Sequence, residues 1–431
     1  MNASCLALGL GFGLSLLTGC GASQPPIGAP GPMPQSRATS THNERSGTPQ
    51  KTSSVPDGSG PSSRLVALNG DLYGTTSIGG ANNQGTVYRI TTSGAENVVY
   101  SFAIGCQRRK KCADGLNPTG LLVVNGTLYG TTGGGGLGPC KNYYGPNGCG
   151  TVFTITPSGA ESVLYSFTGG GCIHHPRCPD AEYPNGLTAI DGTLYGTSWY
   201  GGRFGLGTAY SITTSGGEKV LHSFGRGCFC GYPNEGLIEV GGALYGTTLY
   251  GGMQKAGSVF SMSETGRTKV LYSFDAPPGG GNAGANGSPI DVNGVLYGTT
   301  GGGGAYHNKG TVYSIRTNGT LNVLHSFGMG CPPKKRCSDG EYPDSGLLDV
   351  NGVLYGETAG GGSHASGTVF SITTRGSEKV LHSFSQGYGP GAGLTALNGI
   401  LYGVTGGGVC DGGTVFSLTL SGKVKRLHTF C

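Results

Sequence analysis

The chain has 431 residues, of which 89 are glycine and 36% are hydrophobic. Glycine without a strict triplet repeat excludes a collagen-like fibre, and the hydrophobic share suffices for a folded core. The 27 Lys and Arg exceed the 22 Asp and Glu by only five charges. A bland solvated surface explains this excess as well as an anionic partner does, so composition predicts no specific nucleic-acid binding.

The N-terminus has the features of an export signal. Residues 6–17 are apolar and too short to span a bilayer. They lead into Leu17-Thr18-Gly19-Cys20, which resembles the lipobox of bacterial lipoproteins. The resemblance implies a signal peptide over residues 1–19 and lipidation of Cys20, hence a cell-envelope protein at the outer membrane or cell surface. No Lys or Arg precedes the apolar run, so the usual basic segment is missing. An ordinary cleaved signal with a chance Cys at position 20 is the alternative.

A linker follows the cysteine. Residues 21–63 are rich in Pro, Ser, Thr and Gly and contain almost no large apolar side chains. Such a segment buries too little apolar surface to offset the entropy lost on ordering. We therefore expect residues 20–63 to form a lipid-anchored disordered tether, spanning about 35–40 Å root-mean-square, and residues 64–431 to form the folded domain.

Seven copies of one pattern fill residues 65–431. Each copy is anchored by a Leu-Tyr-Gly triplet, and successive triplets lie 47 to 66 residues apart. The tyrosines of these triplets are Tyr73, Tyr129, Tyr195, Tyr245, Tyr297, Tyr355 and Tyr402. A period of this length predicts a repeat architecture whose units bury their apolar surface only against neighbours.

Each copy carries four strand signals. In the second copy they are Gly120–Val124, Thr127–Thr132, Thr151–Thr156 and Ser162–Phe167. Asn-Gly joins the first two strands in five copies, which favours a tight antiparallel hairpin. Continuous apolar runs within the strands indicate sheets covered on both faces. The sequence therefore predicts an all-β fold, a seven-bladed β-propeller of four-stranded antiparallel blades.

The motif Leu128-Tyr-Gly-Thr-Thr132 followed by Gly150-Thr-Val-Phe153 resembles that of tandem GloVer (Gloeo/Verruco) repeats. The resemblance covers residues 65–431 and implies an exported bacterial protein of the choice-of-anchor kind. Departures are few: Glu357 and Val404 interrupt Thr-Thr, and Ala209 replaces the Val. The family has no settled activity to carry over.

Twelve cysteines follow Cys20, an even number that favours disulfides in an exported protein. By position we expect five pairs: Cys106–Cys112, Cys140–Cys149, Cys172–Cys178, Cys331–Cys337 and Cys410–Cys431. The state of Cys228 and Cys230 stays open, because a bond across one residue is strained. The loops lack the shared histidines that a zinc site would need, so no metal is expected.

The sequence contains no catalytic motif. His222, His325, His382 and His428 all occupy the repeat position that Tyr fills elsewhere, which predicts blade packing. The Ser beside each of them is equally periodic, so the pair is not a catalytic dyad. We find no nucleophile elbow, zinc signature or phosphate-binding loop and expect no catalytic residue and no cofactor.

One end of the ring is the candidate binding surface. In a meander, the loops between the second and third strands and the blade-to-blade connections share one end, here called the loop face. These loops are long and variable, as functional loops are. The basic residues expected there are Arg108, Arg109, Lys110, Lys111, Arg177, Lys334, Lys335 and Arg336. They would attract an anionic glycan or polymer, or they are merely solvated loop tips.

Aromatic and acidic residues on the same face have two interpretations each. Trp199, Tyr200, Phe204, Tyr250 and Tyr306 would stack on sugar rings or pack the glycine-rich loops. The acids Asp114, Asp180 and Asp339 follow cysteine loops; Ca²⁺ binding is one interpretation, and a turn in which each accepts backbone N–H bonds is the other.

Three functions follow from this pattern. The first is a monomeric, non-enzymatic binding or adhesion module that presents its loop face to an extracellular ligand. The second is a polysaccharide lyase or hydrolase with a site in the central channel, where residues that break the sevenfold pattern would converge. The third is an assembly scaffold. Fold alone does not choose among them.

Overall fold

The computed structural model describes residues 57–104, 106, 112–140, 148–169, 180–225, 231–275, 284–329, 331, 337–385, 389–407 and 412–431. Within these ranges the chain forms seven antiparallel sheets, each built from strands adjacent in sequence. No helix long and apolar enough to cross a membrane occurs in the described ranges. The predicted seven-bladed β-propeller is confirmed.

The strands run in chain order through the seven blades. The first blade contains β1 (Ser59–Pro61), β2 (Val66–Leu68), β3 (Asp71–Ile78), β4 (Thr86–Ile90) and β5 (Glu96–Ser101). The second contains β6 (Leu116–Val124), β7 (Thr127–Gly134), β8 (Thr151–Ile155) and β9 (Glu161–Ser166). The third contains β10 (Ala181–Ile190), β11 (Thr193–Gly201), β12 (Thr208–Thr213) and β13 (Glu218–Ser223).

The remaining four blades have the same four-strand order. The fourth contains β14 (Ile238–Val240), β15 (Ala243–Thr248), β16 (Ser258–Met262) and β17 (Thr268–Ser273). The fifth contains β18 (Ala285–Val292), β19 (Val295–Thr300), β20 (Thr311–Arg316) and β21 (Leu321–Ser326). The sixth contains β22 (Leu348–Val350), β23 (Val353–Thr358), β24 (Thr368–Thr373) and β25 (Glu378–Ser383). The seventh contains β26 (Thr395–Leu397), β27 (Ile400–Thr405), β28 (Thr414–Thr419) and β29 (Val424–Thr429).

The first blade differs from the predicted four strands because its first strand is split. Both β1 and β2 pair with β3, and residues 62–65 interrupt them. In the second blade the same place is a register shift within β6, between Pro118 and Gly120. The ring thus includes residues 59–61, which the sequence assigned to the tether.

The hairpin turns between first and second strands have the predicted geometry. Asn69 and Gly70 have φ of 54° and 83°, and Asn293 and Gly294 have 54° and 78°. Positive φ at both central residues defines the type I′ turn, whose twist matches that of paired strands.

Each seam between blades contains an edge-to-face aromatic pair. The Phe that ends one repeat packs on the aromatic residue of the next repeat's Gly-Thr-Val-Phe motif. Phe102 lies 5.1 Å from Phe153, and Phe430 lies 5.0 Å from Tyr88 between ring centroids. All seven seams have such a pair, each worth about 0.5–1.5 kcal/mol beyond area burial.

The ring closes by packing between the first and last blades. Leu65, Leu72 and Tyr88 share one buried cluster with Tyr402 and Phe430. The backbone N–H of Gly60 also donates to the Gly412 carbonyl at 2.8 Å. Because the first strands of neighbouring blades contact one another, they lie innermost, around a common axis.

The Thr-Thr of the repeat motif is also structural. Its second hydroxyl hydrogen-bonds the Thr or Ser that opens the third strand, as between Thr132 and Thr151 at 2.9 Å and between Thr300 and Thr311 at 2.8 Å. These side chains are buried, and a buried hydroxyl needs such a partner. The pair therefore fixes the register of the second and third strands.

Candidate functional site

The predicted basic residues all lie outside the described residues, as does the lipidation site Cys20. They are Arg108, Arg109, Lys110, Lys111, Arg177, Lys334, Lys335 and Arg336. The cationic interpretation of the loop face therefore stays a prediction, and the site is built from the side chains that the structure places.

Three of the predicted disulfides are present. They are Cys106–Cys112, Cys140–Cys149 and Cys331–Cys337, with Cα separations of 5.2, 5.1 and 5.2 Å. Cys431 is also disulfide-bonded. The other cysteines of the predicted scheme, Cys172, Cys178, Cys228, Cys230 and Cys410, lie outside the described residues.

One group in the described ranges has the spacing of metal ligands, namely Cys331, Cys337 and Asp339. The two sulfurs of this group are joined in a disulfide. Zinc is bound by thiolates, and neither sulfur is a thiolate here. This group therefore offers no metal site in the oxidised protein.

The acids that follow the cysteine loops accept backbone hydrogen bonds. Asp114 accepts from the Ile104 N–H at 3.0 Å, and Asp180 accepts from the Thr168 N–H at 2.6 Å. Asp339 accepts from the Gly328 N–H at 3.0 Å. These bonds tie the start of each connecting loop to its end, which supports the turn interpretation over Ca²⁺ binding.

The periodic histidines are packed at the blade seams. His222 and His382 lie edge-to-face on Phe224 and Phe384 at 5.0 and 4.9 Å. Burial lowers the pKa of both imidazoles, because a charged ring is disfavoured away from water. His325 and His428 make the same contacts and each lies 3.4 Å from an aspartate. The packing role predicted for these side chains fits this geometry.

Four tyrosines form a continuous row on the loop face, here called the tyrosine arc. Tyr183 packs on Tyr200, Tyr200 on Tyr232, and Tyr232 on Tyr250, with centroid separations of 5.7, 5.7 and 5.6 Å. All four side chains are half-buried. The arc thus unites two predicted residues, Tyr200 and Tyr250, with two that the sequence did not single out.

The backbone holds the arc in an unusual conformation. Tyr183 and Tyr232 precede the proline that enters a blade, and their φ angles are 59° and 61°. The aligned Asn117 and Tyr342, which also precede proline, have φ of 53° and 58°, so this conformation is a feature of the repeat. Burial raises the pKa of Tyr183 to about 12, so its hydroxyl stays a neutral hydrogen-bond donor at physiological pH.

The other predicted aromatics lie apart from the arc's ring contacts. Trp199 is half-buried beside Tyr200 in sequence. Phe204 is 38% exposed and lies under the Arg203 guanidinium at 5.6 Å, while Tyr306 is 37% exposed in the fifth blade.

A second group of residues breaks the repeat pattern at the axis. The residue before the Leu or Ile that opens each first strand is Gly or Pro in six blades: Gly120, Gly186, Gly236, Pro289, Gly346 and Gly393. The first blade has Arg64 there. These positions touch across seams, since a Cβ on Gly186 would lie 3.1 Å from the Gly236 nitrogen. A Cβ on Gly393 would lie 3.6 Å from the Arg64 side chain.

Three acids join Arg64 at this level. Glu235 stands where the first, sixth and seventh blades have Ser or Ala, and Asp344 stands where no other blade has an acid. Glu357 replaces the first Thr of the Thr-Thr pair, and its Oε2 accepts from the Gly393 N–H at 2.8 Å. Arg64, Glu235, Asp344 and Glu357 are called the axial cluster below.

The four side chains influence one another's pKa values. Arg64 interacts with both Glu235 and Glu357, and Asp344 with both of the same acids. Arg64 and Glu235 come from the first and fourth blades, so their interaction crosses the axis. Both side chains are exposed to solvent, yet burial is the largest cause of their pKa shifts, lowering that of Arg64 and raising that of Glu235.

The acids of the cluster hold protons more tightly than usual. Burial raises the pKa of Glu357 to about 7. Burial, and then the neighbouring Glu357, raises the pKa of Asp344 well above its usual range. Glu357 is 1% exposed, and its Oε1 makes no hydrogen bond of normal geometry. Glu235 has φ of 66°, a conformation that costs a non-glycine residue about 1–2 kcal/mol.

Sequence reasoning noted Glu357 only as a departure from Thr-Thr, and it missed Arg64, Glu235 and Asp344. A signal was present, because each residue is charged where the aligned residues of the other repeats are uncharged. Aligning the segment between the proline and the first strand would have exposed it.

The family model described as the Gloeobacter/Verrucomicrobia repeat matches residues 137–337. No curated protein matches the chain. Among solved structures, one streptogramin B lyase is 14% identical with a TM-score of 0.51, and the match covers 86% of this chain and 93% of that one. A puromycin-hydrolyzing peptidase of Mycobacterium tuberculosis is 12% identical with a TM-score of 0.53, and the match covers 87% of this chain and 56% of that one. At such identities the likeness shows the fold alone.

Proposed function

Because residues 137–337 are Gloeobacter/Verrucomicrobia repeats within a β-propeller, we propose that this chain is a tethered, non-enzymatic module that binds a glycan on its loop face. The tyrosine arc carries this proposal. Its four rings span two blades in edge-to-face contact at 5.6 to 5.7 Å.

The arc suits a sugar chain for two physical reasons. Half-buried tyrosines offer an apolar face and a polar hydroxyl together, which matches the apolar faces and hydroxyl edges of pyranose rings. Mutual packing and the constrained backbone at Tyr183 and Tyr232 also order the rings before binding. Preorganised groups lose less conformational entropy when a ligand binds.

Export and anchoring belong to the same proposal. The lipobox-like Leu17–Cys20 and the Pro- and Ser-rich residues 21–56 support a lipid anchor with a spacer, at the outer membrane or cell surface. The basic loops around Arg109 and Lys335 support an anionic glycan in particular. Loss of metabolic palmitate labelling in Cys20→Ala, with retained labelling in Cys5→Ala, is the expected result; labelling of both variants would overturn the anchor.

A glycan panel tests the binding function. The purified domain should bind at least one polysaccharide above background, and Tyr200→Ala and Tyr250→Ala should each weaken binding at least tenfold. Tyr306→Ala is the matched control, since Tyr306 is an exposed loop tyrosine outside the arc, and it should bind like the wild type. The absence of any bound glycan, or equal loss in all three variants, would contradict the proposal.

The axial cluster favours a second candidate, a polysaccharide lyase or hydrolase with a channel site. A carboxyl with a pKa of about 7, as in Glu357, has the proton affinity of a general acid. Glu357 is only 1% exposed, however, so substrate does not reach it in this conformation, and binding is the better-supported function. New reducing ends or unsaturated sugars released from the bound polysaccharide, and absent with Glu357→Thr, would favour the enzyme.

A further inference from the structure

Exposed apolar side chains are concentrated at one end of the ring. In the described ranges, ten large apolar or aromatic side chains are exposed, and eight of them lie in or beside the loops of the loop face. The eight are Ile78, Ile104, Leu137, Phe204, Met253, Tyr306, Met329 and Tyr342. The other two are Val323, within β21, and Leu420, in the turn between β28 and β29.

The opposite end of the ring is polar by comparison. Its turns between first and second strands contain Asn-Gly, Asp-Gly or Gly-Gly, and its turns between third and fourth strands have Ser, Thr, Asn or Arg before the Gly. Both ends are built from the same seven repeats, so the fold alone does not explain the difference. Exposed apolar side chains gathered on one face are typical of a protein or membrane interaction surface.

Four of the eight side chains occupy the same loop in consecutive blades, two to five. They follow the Gly-Gly pair of the loop between the second and third strands by one or two residues, and are here called the loop tips: Leu137, Phe204, Met253 and Tyr306. The sixth blade has Ser363-His364 at this place, so the repeat does not require an apolar residue. Equivalent loops of neighbouring blades lie at one level of the ring, so one flat surface meets all four tips.

Two cations accompany the loop tips. The Arg203 guanidinium lies 5.6 Å from the ring centroid of Phe204, and both side chains are exposed. Lys255 follows Met253 by two residues and is also exposed. Lys and Arg extend an apolar stem along a bilayer surface and keep the charge at the level of the lipid phosphates. Apolar and aromatic side chains beside such cations are typical of interfacial membrane binding.

The N-terminal part of the chain joins the ring at the same face. Ser59 of β1 pairs with Ile78 of β3, at the end of β3 that leads into the loop face. The segment that precedes residue 57 is therefore attached on this side, and it contains the predicted lipid anchor, Cys20. A tether raises the local concentration of its target, so even a weak contact between the loop face and the anchoring membrane would form. This attachment favours a membrane over a protein partner.

We propose that the loop face docks on a phospholipid bilayer, with the four loop tips inserted among the headgroups and with Arg203 and Lys255 at the lipid phosphates. The inference adds a second membrane contact to the proposed anchor, and it does not depend on glycan binding. The tyrosine arc lies on the same face, so docking brings the arc to saccharides carried by that membrane.

Cosedimentation with vesicles of phosphatidylcholine and phosphatidylglycerol tests the proposal. The unlipidated chain, residues 21–431, should bind, and Leu137→Asp and Met253→Asp should each lower the partition coefficient at least about fivefold, because an inserted carboxylate must leave water. Leu420→Asp is the matched control at the opposite end and should bind like the wild type. Substitutions at such exposed positions change stability little. No binding of the wild type, or an equal loss in all three variants, would overturn the proposal.

Fluorescence quenching by brominated lipids identifies the face that meets the bilayer. The chain has a single tryptophan, Trp199, so a Trp199→Phe background makes an introduced tryptophan the sole reporter. Met253→Trp should be quenched and Leu420→Trp should not. Equal quenching of the two reporters, or none at Met253→Trp, would refute docking through the loop face.

Sedimentation velocity without vesicles addresses the other occupant, a second copy of the chain. The wild type should be monomeric. A dimer that Met253→Asp abolishes would assign the loop tips to self-association and overturn the membrane proposal. The vesicles carry no glycan and the chain no lipid, so a failed glycan panel or palmitate labelling is a separate result.

Discussion

Replacing Glu235 by glycine tests whether the left-handed backbone at this position is strained. Relief of the left-handed conformation (φ of 66°) favours the variant by about 1–2 kcal/mol. The greater freedom of glycine in the unfolded chain disfavours it by about 0.5–1 kcal/mol. Loss of the hydrogen bond from the Ser288 N–H, 3.1 Å long and solvent-exposed, costs about 0.5 kcal/mol. The net change in unfolding free energy is therefore close to zero.

Glu239→Gly is the matched control for that variant. Glu239 lies four residues away in β14, has an ordinary strand φ, and accepts one exposed hydrogen bond from the Gly242 N–H at 2.6 Å. With no strain to relieve, the same substitution should cost about 1–1.5 kcal/mol. Urea unfolding of both variants measures the difference. An equal loss in the two variants would refute the strain argument.

Three further predictions concern the seams and loops. Burial and Asp114 raise the pKa of Glu161 from 4.5 to about 7. The folded protein therefore binds this proton more tightly than the unfolded chain, and its stability falls as the pH rises from 4.5 through 7. The melting temperature of Glu161→Gln should be higher than that of the wild type at pH 8 and equal to it at pH 4. Phe327→Ala should lower the free energy of unfolding, measured in urea, by about 3–5 kcal/mol, because Phe327 is fully buried at a seam. Val323 is 54% exposed, so Val323→Ala should lower it by less than about 0.5 kcal/mol. Replacing both cysteines of the Cys140–Cys149 disulfide by serine should lower the free energy of unfolding by about 2–3 kcal/mol. An unchanged melting temperature would contradict a structural role for this disulfide.

The blade could be predicted because its determinants are local. Asn69-Gly70 specifies a turn through the φ values of two residues, and continuous apolar runs specify the strands beside it. These signals recur seven times, so errors in one copy are corrected by the others. The seam pairs were not predicted, because Phe102 and Phe153 meet only once two complete blades have packed.

The axial cluster could not be placed from the sequence for a related reason. Arg64 and Glu357 lie almost 300 residues apart, and only closure of the ring brings them together. The sequence identified two of the four residues of the tyrosine arc. Tyr200 and Tyr250 were predicted as loop aromatics, whereas Tyr183 and Tyr232 had no feature beyond the proline that follows them. Their ring contacts across two blades have no signature in composition.

Ring symmetry itself explains why so few substitutions suffice to build a site. At the seams, each side chain meets only neighbouring blades, so a useful residue must recur in every copy, as the Phe pairs do. At the axis, the first strands of neighbouring blades contact one another, and Arg64 of the first blade interacts electrostatically with Glu235 of the fourth. A single charged residue there is within reach of several blades at once. A residue that differs from the repeat at the axis can therefore add a ligand contact without disrupting the fold. Four residues of this chain differ in this way: Arg64, Glu235, Asp344 and Glu357.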